Sequence, residues 1–284
     1  MLNFNARIIT AVILVPLVID ALFFLPLNLF GYIIIIICSL AAWEWSQFIG
    51  WTGHINRIIC AVLFGICLLS LQLFLQDFSQ LTTEPLIIYI LSAGLIWWLV
   101  AIILVITFPT SALFWYKSVI LKILFGILTI LPFYCGMLVL KHIDYNVDNF
   151  IGAWWVFYVM LLVWSVDSGA YFFGHLFGKH KLAAEISPGK TLEGILGGMM
   201  TAAIIAWLFS LFSPILLISK NLVFCSVIVV IISVFGDLTE SMFKRQAGIK
   251  DSSHLIPGHG GVLDRIDSLT AAISVFAGLI LLFF

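Results

Sequence analysis

The stretch Tyr32-Ile33-Ile34-Ile35-Ile36-Ile37-Cys38 is a solid apolar run, and the chain is built from nine segments of this kind. A helix that crosses a bilayer needs about 20 mostly apolar residues. Punctuated by charges, Pro and Gly, the candidate spans are 8–26, 28–48, 57–76, 85–107, 118–140, 150–177, 192–210, 221–243 and 266–284. Backbone groups in hydrocarbon must bond to one another, so only helices and closed barrels span. Barrel strands alternate apolar and polar residues, which these runs do not. The sequence therefore predicts an all-α, polytopic integral membrane protein of about nine transmembrane helices.

Composition removes the alternatives. The chain is 63% hydrophobic and 10% charged, against about 25% charged in a soluble domain. Too few polar residues exist to coat a water-facing surface, which excludes a soluble enzyme, a secreted disulfide scaffold and a disordered chain. Cys38, Cys60, Cys67, Cys135 and Cys225 all lie in apolar runs, with no CxxC and no His at metal spacing; they read as packing residues. The net charge is −1, and no Lys or Arg is interleaved with aromatics, so no nucleic-acid partner is expected. Arg7 precedes an apolar run, but no small-residue cleavage site follows, so this segment reads as a first span and not a leader.

Lys and Arg set the orientation. With a cytoplasmic N-terminus, 11 of the 13 fall inside, and only Lys141 and Lys220 fall outside. This split predicts an external C-terminus and an odd number of spans. Residues 1–149 are nearly pure membrane helix and read as scaffold. Residues 150–284 hold four polar clusters, all placed at the cytoplasmic face.

The first cluster is Asp167-Ser168-Gly169-Ala170-Tyr171, where an acid closes an apolar run; such acids are expensive in a bilayer and mark function. The second runs from Ser187 to Gly194. Ser187 then Pro188 reads as N-cap and first helical residue, so a helix is predicted to start there, its free N–H groups forming an anion site with Lys190 and Thr191. Gly189-Lys190-Thr191 also ends a Walker A motif, but Ala184 stands where that motif needs Gly and no strand is predicted before it, so a P-loop is rejected. In the third, Asp237, Glu240 and Lys244 share one helix face by their spacing, followed by Arg245. The fourth runs from Lys250-Asp251 through Gly258-His259-Gly260-Gly261 to Asp264-Arg265-Ile266-Asp267. Its glycines would let backbone N–H groups approach a phosphate, and Asp264 and Asp267 can face one point. Carboxylates with basic groups suit a divalent cation and phosphates, so the residues point to phosphoryl or nucleotidyl transfer on a substrate reached from the bilayer.

The stretch from Ser241 to Asp267 resembles the long signature of the phosphatidate cytidylyltransferase (CDP-diacylglycerol synthase) family. Asp167–Tyr171 and Ser187-Pro188, Lys190-Thr191 and Glu193-Gly194 are also similar to family motifs. Many members carry Lys where this chain has Gly189, and the first 150 residues carry no family motif. The resemblance implies that CTP and phosphatidate give CDP-diacylglycerol and pyrophosphate with Mg²⁺, one ion or two. It implies Asp237 and Asp264 as metal ligands, and Lys244, Arg245, Lys250, His259 and Arg265 at the phosphates. Substrate contacts would come from Asp167, Ser187, Lys190, Thr191, Glu193, Glu240, Ser241, Asp251, Gly260, Gly261 and Asp267. It further implies a bacterial inner membrane with the active site on the cytoplasmic side. The small-residue faces Gly174–Gly178 and Gly194–Gly198 would pack either internally or across a homodimer. Two competing readings predict different signs: a CTP-dependent polyprenol kinase would release CDP, and an ion-coupled transporter would place its charges near the bilayer midplane.

Overall fold

The computed structural model describes residues 2–75, 81–145, 147–212, 220–258 and 260–283. His259 and the predicted break at Ser213-Pro214 lie outside the described residues. The nine expected spans are helices: α1 (Leu2–Phe24), α2 (Leu27–Ile49), α3 (His54–Phe74), α4 (Pro85–Ile106), α6 (Val119–His142), α7 (Asn149–Phe177), α8 (Leu192–Phe212), α9 (Lys220–Gln246) and α10 (Leu263–Phe283). A single turn, α5 (Ala112–Trp115), precedes α6. Among the described residues, eight helices are long and apolar enough to cross a membrane, and the corresponding part of α1, Val12–Phe24, is shorter.

Local chemistry sets several helix ends. Pro85 opens α4, where its missing N–H costs nothing. Ser118 caps α6 by accepting from the Leu121 N–H, and Asp148 caps α7 by accepting from the Phe150 N–H. Gly50 closes α2 in the left-handed conformation, φ 100°.

The centre of the bundle is α6, 72% buried across its apolar window and packed against α10, α2, α4 and α7. The periphery is α3 and α8, 11% and 22% buried. Small residues decide which helices touch. On α9, a Cβ at Gly236 would stand 2.7 Å from the Asp267 carbonyl oxygen and 2.9 Å from Ala271 Cβ, so this glycine lets α9 lie directly on α10. On α7 and α8, Gly169, Gly174, Gly194 and Gly198 back onto one another's helices. The small-residue faces that the sequence left open between internal and intersubunit packing are thus internal.

One element departs from the all-α expectation. Between α7 and α8 the chain forms an antiparallel hairpin of β1 (Lys181–Ala183) and β2 (Ser187–Thr191), with Lys181 opposite Thr191 and Ala183 opposite Ser187.

Candidate active site

The hairpin corrects the expected helix start at Ser187-Pro188. Those residues lie in β2, and α8 begins at Leu192. The cap is Thr191, whose Oγ1 accepts from the Gly194 N–H at 3.2 Å. Leu192 N–H bonds back to the His180 carbonyl at 2.9 Å, which closes the hairpin onto the helix. Glu193 is spent on the same junction: its carboxylate accepts from the Lys179 and His180 N–H groups and meets His180 Nδ1 at 2.6 Å. Gly189-Lys190-Thr191 therefore sits within a strand and not in a phosphate-wrapping loop, which keeps the P-loop excluded although β1 supplies an unforeseen preceding strand.

Lys190 reaches from β2 to α9 and pairs with Asp237 at 2.7 Å. The pair forms one wall of a polar cavity of about 530 Å³ between α7, β2, α8 and α9. Asp167, Ser187, Gly189 and Thr191 also line it, with Tyr171 and His175 on α7. Asp237 accepts a second bond, from Ser241 Oγ at 3.2 Å. Two carboxylates, Asp167 on α7 and Asp237 on α9, and the Lys190 ammonium on β2 thus come from three elements to line one cavity.

A second, buried group lies one turn further along α9. Lys244 Nζ stands 2.7 Å from Asp264 Oδ1 and 3.1 Å from Glu240 Oε2. Glu240 Oε1 is buried without a hydrogen-bond partner, and the Glu240 carboxylate neighbours that of Asp267. Asp264 Oδ2 is saturated, accepting from Ser252 N–H at 2.9 Å, Ser252 Oγ at 2.9 Å and Gly261 N–H at 2.8 Å. Glu240 and Asp264 thus both hold Lys244, while Asp237 holds Lys190.

The loop between α9 and α10 is held by a residue the sequence reading missed. Glu44, on α2, is fully buried. One carboxylate oxygen accepts from Ser253 Oγ and the Val262 N–H, the other from the Leu263 N–H and from Ser252 Oγ, whose one proton it shares with Asp264 Oδ2. Two of these donors are open N–H groups at the start of α10, so Glu44 caps α10 from another helix. An acid between Trp43 and Trp45 in an apolar span is the same signal that singled out Asp167, and applying it at residue 44 would have found this site.

The glycines of the loop also change role. Gly258 and Gly260 adopt φ 76° and 86°, which favours glycine. A Cβ on Gly261 would run into Ser252 Oγ and Glu44 Oε1, and its N–H is taken by Asp264. Gly261 is required by packing inside the loop, not by close approach to a phosphate. Arg245 likewise donates to backbone, from Nε to the Ile186 carbonyl at 3.1 Å and from Nη1 to the Ile249 carbonyl at 3.3 Å, tying α9 to the hairpin and loop. Lys250, Asp251 and Arg265 are exposed.

The family model described as the cytidylyltransferase family matches residues 5–283. The chain belongs to the cytidylyltransferase family. It is 43% identical over 279 residues to a phosphatidate cytidylyltransferase of Haemophilus influenzae, covering 95% of this chain and 96% of that protein. It is 41% identical over 275 residues to the Pseudomonas aeruginosa protein of the same name, covering 96% of each. A Bacillus subtilis phosphatidate cytidylyltransferase matches over 144 residues at 41% identity, half of this chain and 53% of that protein. The family match extends through the motif-free N-terminal half, including the α2 segment that carries Glu44.

The site suits a hard divalent cation by its donors. Among the described residues no three His, Cys, Asp or Glu side chains form a cage, but Mg²⁺ takes one or two carboxylates and completes its shell with substrate phosphates and water. Asp237 and Asp264 Oδ1 each keep an unused lone pair.

Proposed function

We propose that the chain is a CTP:phosphatidate cytidylyltransferase making CDP-diacylglycerol and pyrophosphate. The observation that carries this reading is the Lys190–Asp237 pair on the wall of a polar cavity of about 530 Å³, in a chain that matches its family from end to end. The phosphate of phosphatidate attacks the α-phosphorus of CTP; a new P–O bond forms, the bond to the β-phosphate bridge breaks, and pyrophosphate leaves with the electron pair. A phosphate monoester is largely dianionic at neutral pH, with a second pKa of about 6, so the attacking oxygen needs no general base.

What the chain must supply is charge screening and alignment, because both reactants are anions. Lys190 is fixed by Asp237 at the cavity wall. Lys244 is held rigid between Asp264 and Glu240. Mg²⁺ held by Asp237 and Asp264 would stabilise the charge that builds on the phosphates. The Lys and Arg asymmetry supports a cytoplasmic site in a bacterial inner membrane, where CTP is available.

Purified protein given CTP, phosphatidate and Mg²⁺ should release pyrophosphate and CDP-diacylglycerol in equal amounts. Release of CDP with a phosphorylated lipid would make the chain a kinase instead.

A further inference from the structure

Of the two proposed substrates only CTP carries a flat aromatic ring, and one wall of the polar cavity carries two. Tyr171 and His175 stand about one helical turn apart on α7, and both line that cavity. Their rings are nearly parallel, with 10° between the planes and 6.4 Å between the centroids. Atoms in van der Waals contact stand about 3.5–4 Å apart. The two rings are thus too widely spaced to lie face to face in contact, and a planar base held between two rings needs roughly 7 Å. Tyr171 is 80% exposed and His175 is exposed too, so both side chains can open by that small difference. The lining residues beside them on α7 are Ala170 and Gly174, which put no bulk into the gap.

We propose that Tyr171 and His175 form a clamp that stacks the cytosine base of CTP, with the triphosphate directed at Lys190. The proposal rests on the reading of the chain as an enzyme that consumes CTP. The cavity keeps the two ends of a nucleotide apart: the rings are on the α7 wall, and the cation is on β2, where Lys190 meets Asp237 on α9 at 2.7 Å. Phosphatidate has no π-face to offer these rings, and neither does a divalent cation.

Two features separate the pair from the aromatic belt that anchors membrane helices at the interface. Phe172 and Leu176, one position further round α7, are exposed and lie outside the cavity lining, so the helix already has a separate apolar face. The polar atoms of the two rings also bond to no other described residue, which leaves them for the edge of a base or its ribose. Stacking accepts any base, so the clamp supplies affinity and placement of the nucleotide, and choice among bases falls to hydrogen bonds at the base edge.

The test compares two inhibitors at fixed free Mg²⁺: CMP, which has the base, and pyrophosphate, which lacks it. Tyr171→Ala and His175→Ala should each raise the inhibition constant for CMP about tenfold, the scale of one lost base stack, and leave that for pyrophosphate unchanged. The KM for CTP should rise with the CMP constant, and the KM for phosphatidate should stay. Tyr171→Phe keeps the ring and should bind CMP like the parent. Equal weakening of CMP and pyrophosphate would mark a structural role and overturn the clamp, and so would no change in either. Wild-type protein forming no CDP-lipid would instead overturn the proposed reaction.

A second measurement stands apart from variant folding. Wild-type protein is illuminated with 5-iodo-CTP, whose reactive atom is on the base. Label on Tyr171 or His175 supports the clamp, and label confined to other residues overturns it.

Discussion

Glu44 and Ser252 stand 208 positions apart in sequence and are joined by a 3.1 Å hydrogen bond inside the protein. The same Ser252 hydroxyl reaches Asp264 Oδ2 at 2.9 Å, and Asp264 holds Lys244 at 2.7 Å. A residue of the motif-free half is thus three polar contacts from Lys244, the centre of the charged cluster. Glu44→Gln keeps the shape but puts an NH₂ against N–H and O–H donors. Leaving buried donors unsatisfied costs roughly 1–3 kcal/mol each, so the variant should unfold at lower temperature in detergent and lose most activity. Thermal unfolding alongside CDP-diacylglycerol formation checks this; an unshifted midpoint would remove Glu44 from its capping role.

The two aspartates implied as metal ligands should separate on mutation. Asp237 lines an open cavity and is tied to the partly exposed Lys190, so Asp237→Asn should purify normally and turn over at least about 100-fold more slowly, as when a key electrostatic stabiliser is lost. Asp264 holds Lys244, Ser252 and Gly261 together in a buried network. Asp264→Asn should lose activity to a similar extent and also about 3 kcal/mol of stability, the scale for breaking a buried ion pair. Equal stability of the two variants would argue against this division of labour.

Gly261→Ala places a methyl group against Ser252 Oγ and Glu44 Oε1. Stability and activity should fall together, unlike the selective loss of activity that phosphate approach would predict. Adding Ser252→Gly relieves one of the two clashes, so the double variant should regain part of the lost stability. Fully additive penalties in that cycle would refute the contact.

Gly189 has open space where a Cβ would stand and lies on the cavity wall. Gly189→Lys should fold like the parent and lower the KM for an anionic substrate severalfold, with the gain shrinking as salt is added. A KM unmoved at low ionic strength would show that residue 189 points away from the substrate.

A reporter fused after Phe284 should read as external and one inserted beside Lys181 as cytoplasmic. Both reading on the same side would break the orientation drawn from the Lys and Arg distribution.

The spans were legible because apolar length is a strong signal that needs no tertiary context. The Glu240–Lys244 pair was legible from helix spacing, and Asp237 and Asp264 were legible as carboxylates at the ends of apolar runs. The hairpin was not. Ser187-Pro188 satisfies the rules for a helix start, and only pairing with 181–183 shows that Thr191 is the true cap. The role of Gly261 was hidden for a similar reason, since what crowds it comes from residue 252 and from α2.

Glu44 also bears on how such a chain could be cut and recombined. A fragment beginning near residue 150 would contain nearly every side chain that the family motifs mark, yet the Val262 and Leu263 N–H groups and both serine hydroxyls would lose their shared acceptor. Co-expressed halves would therefore have to find each other before either could work. A chimera joining this C-terminal half to a relative's N-terminal half should function only where the incoming α2 presents a carboxylate at the place of Glu44.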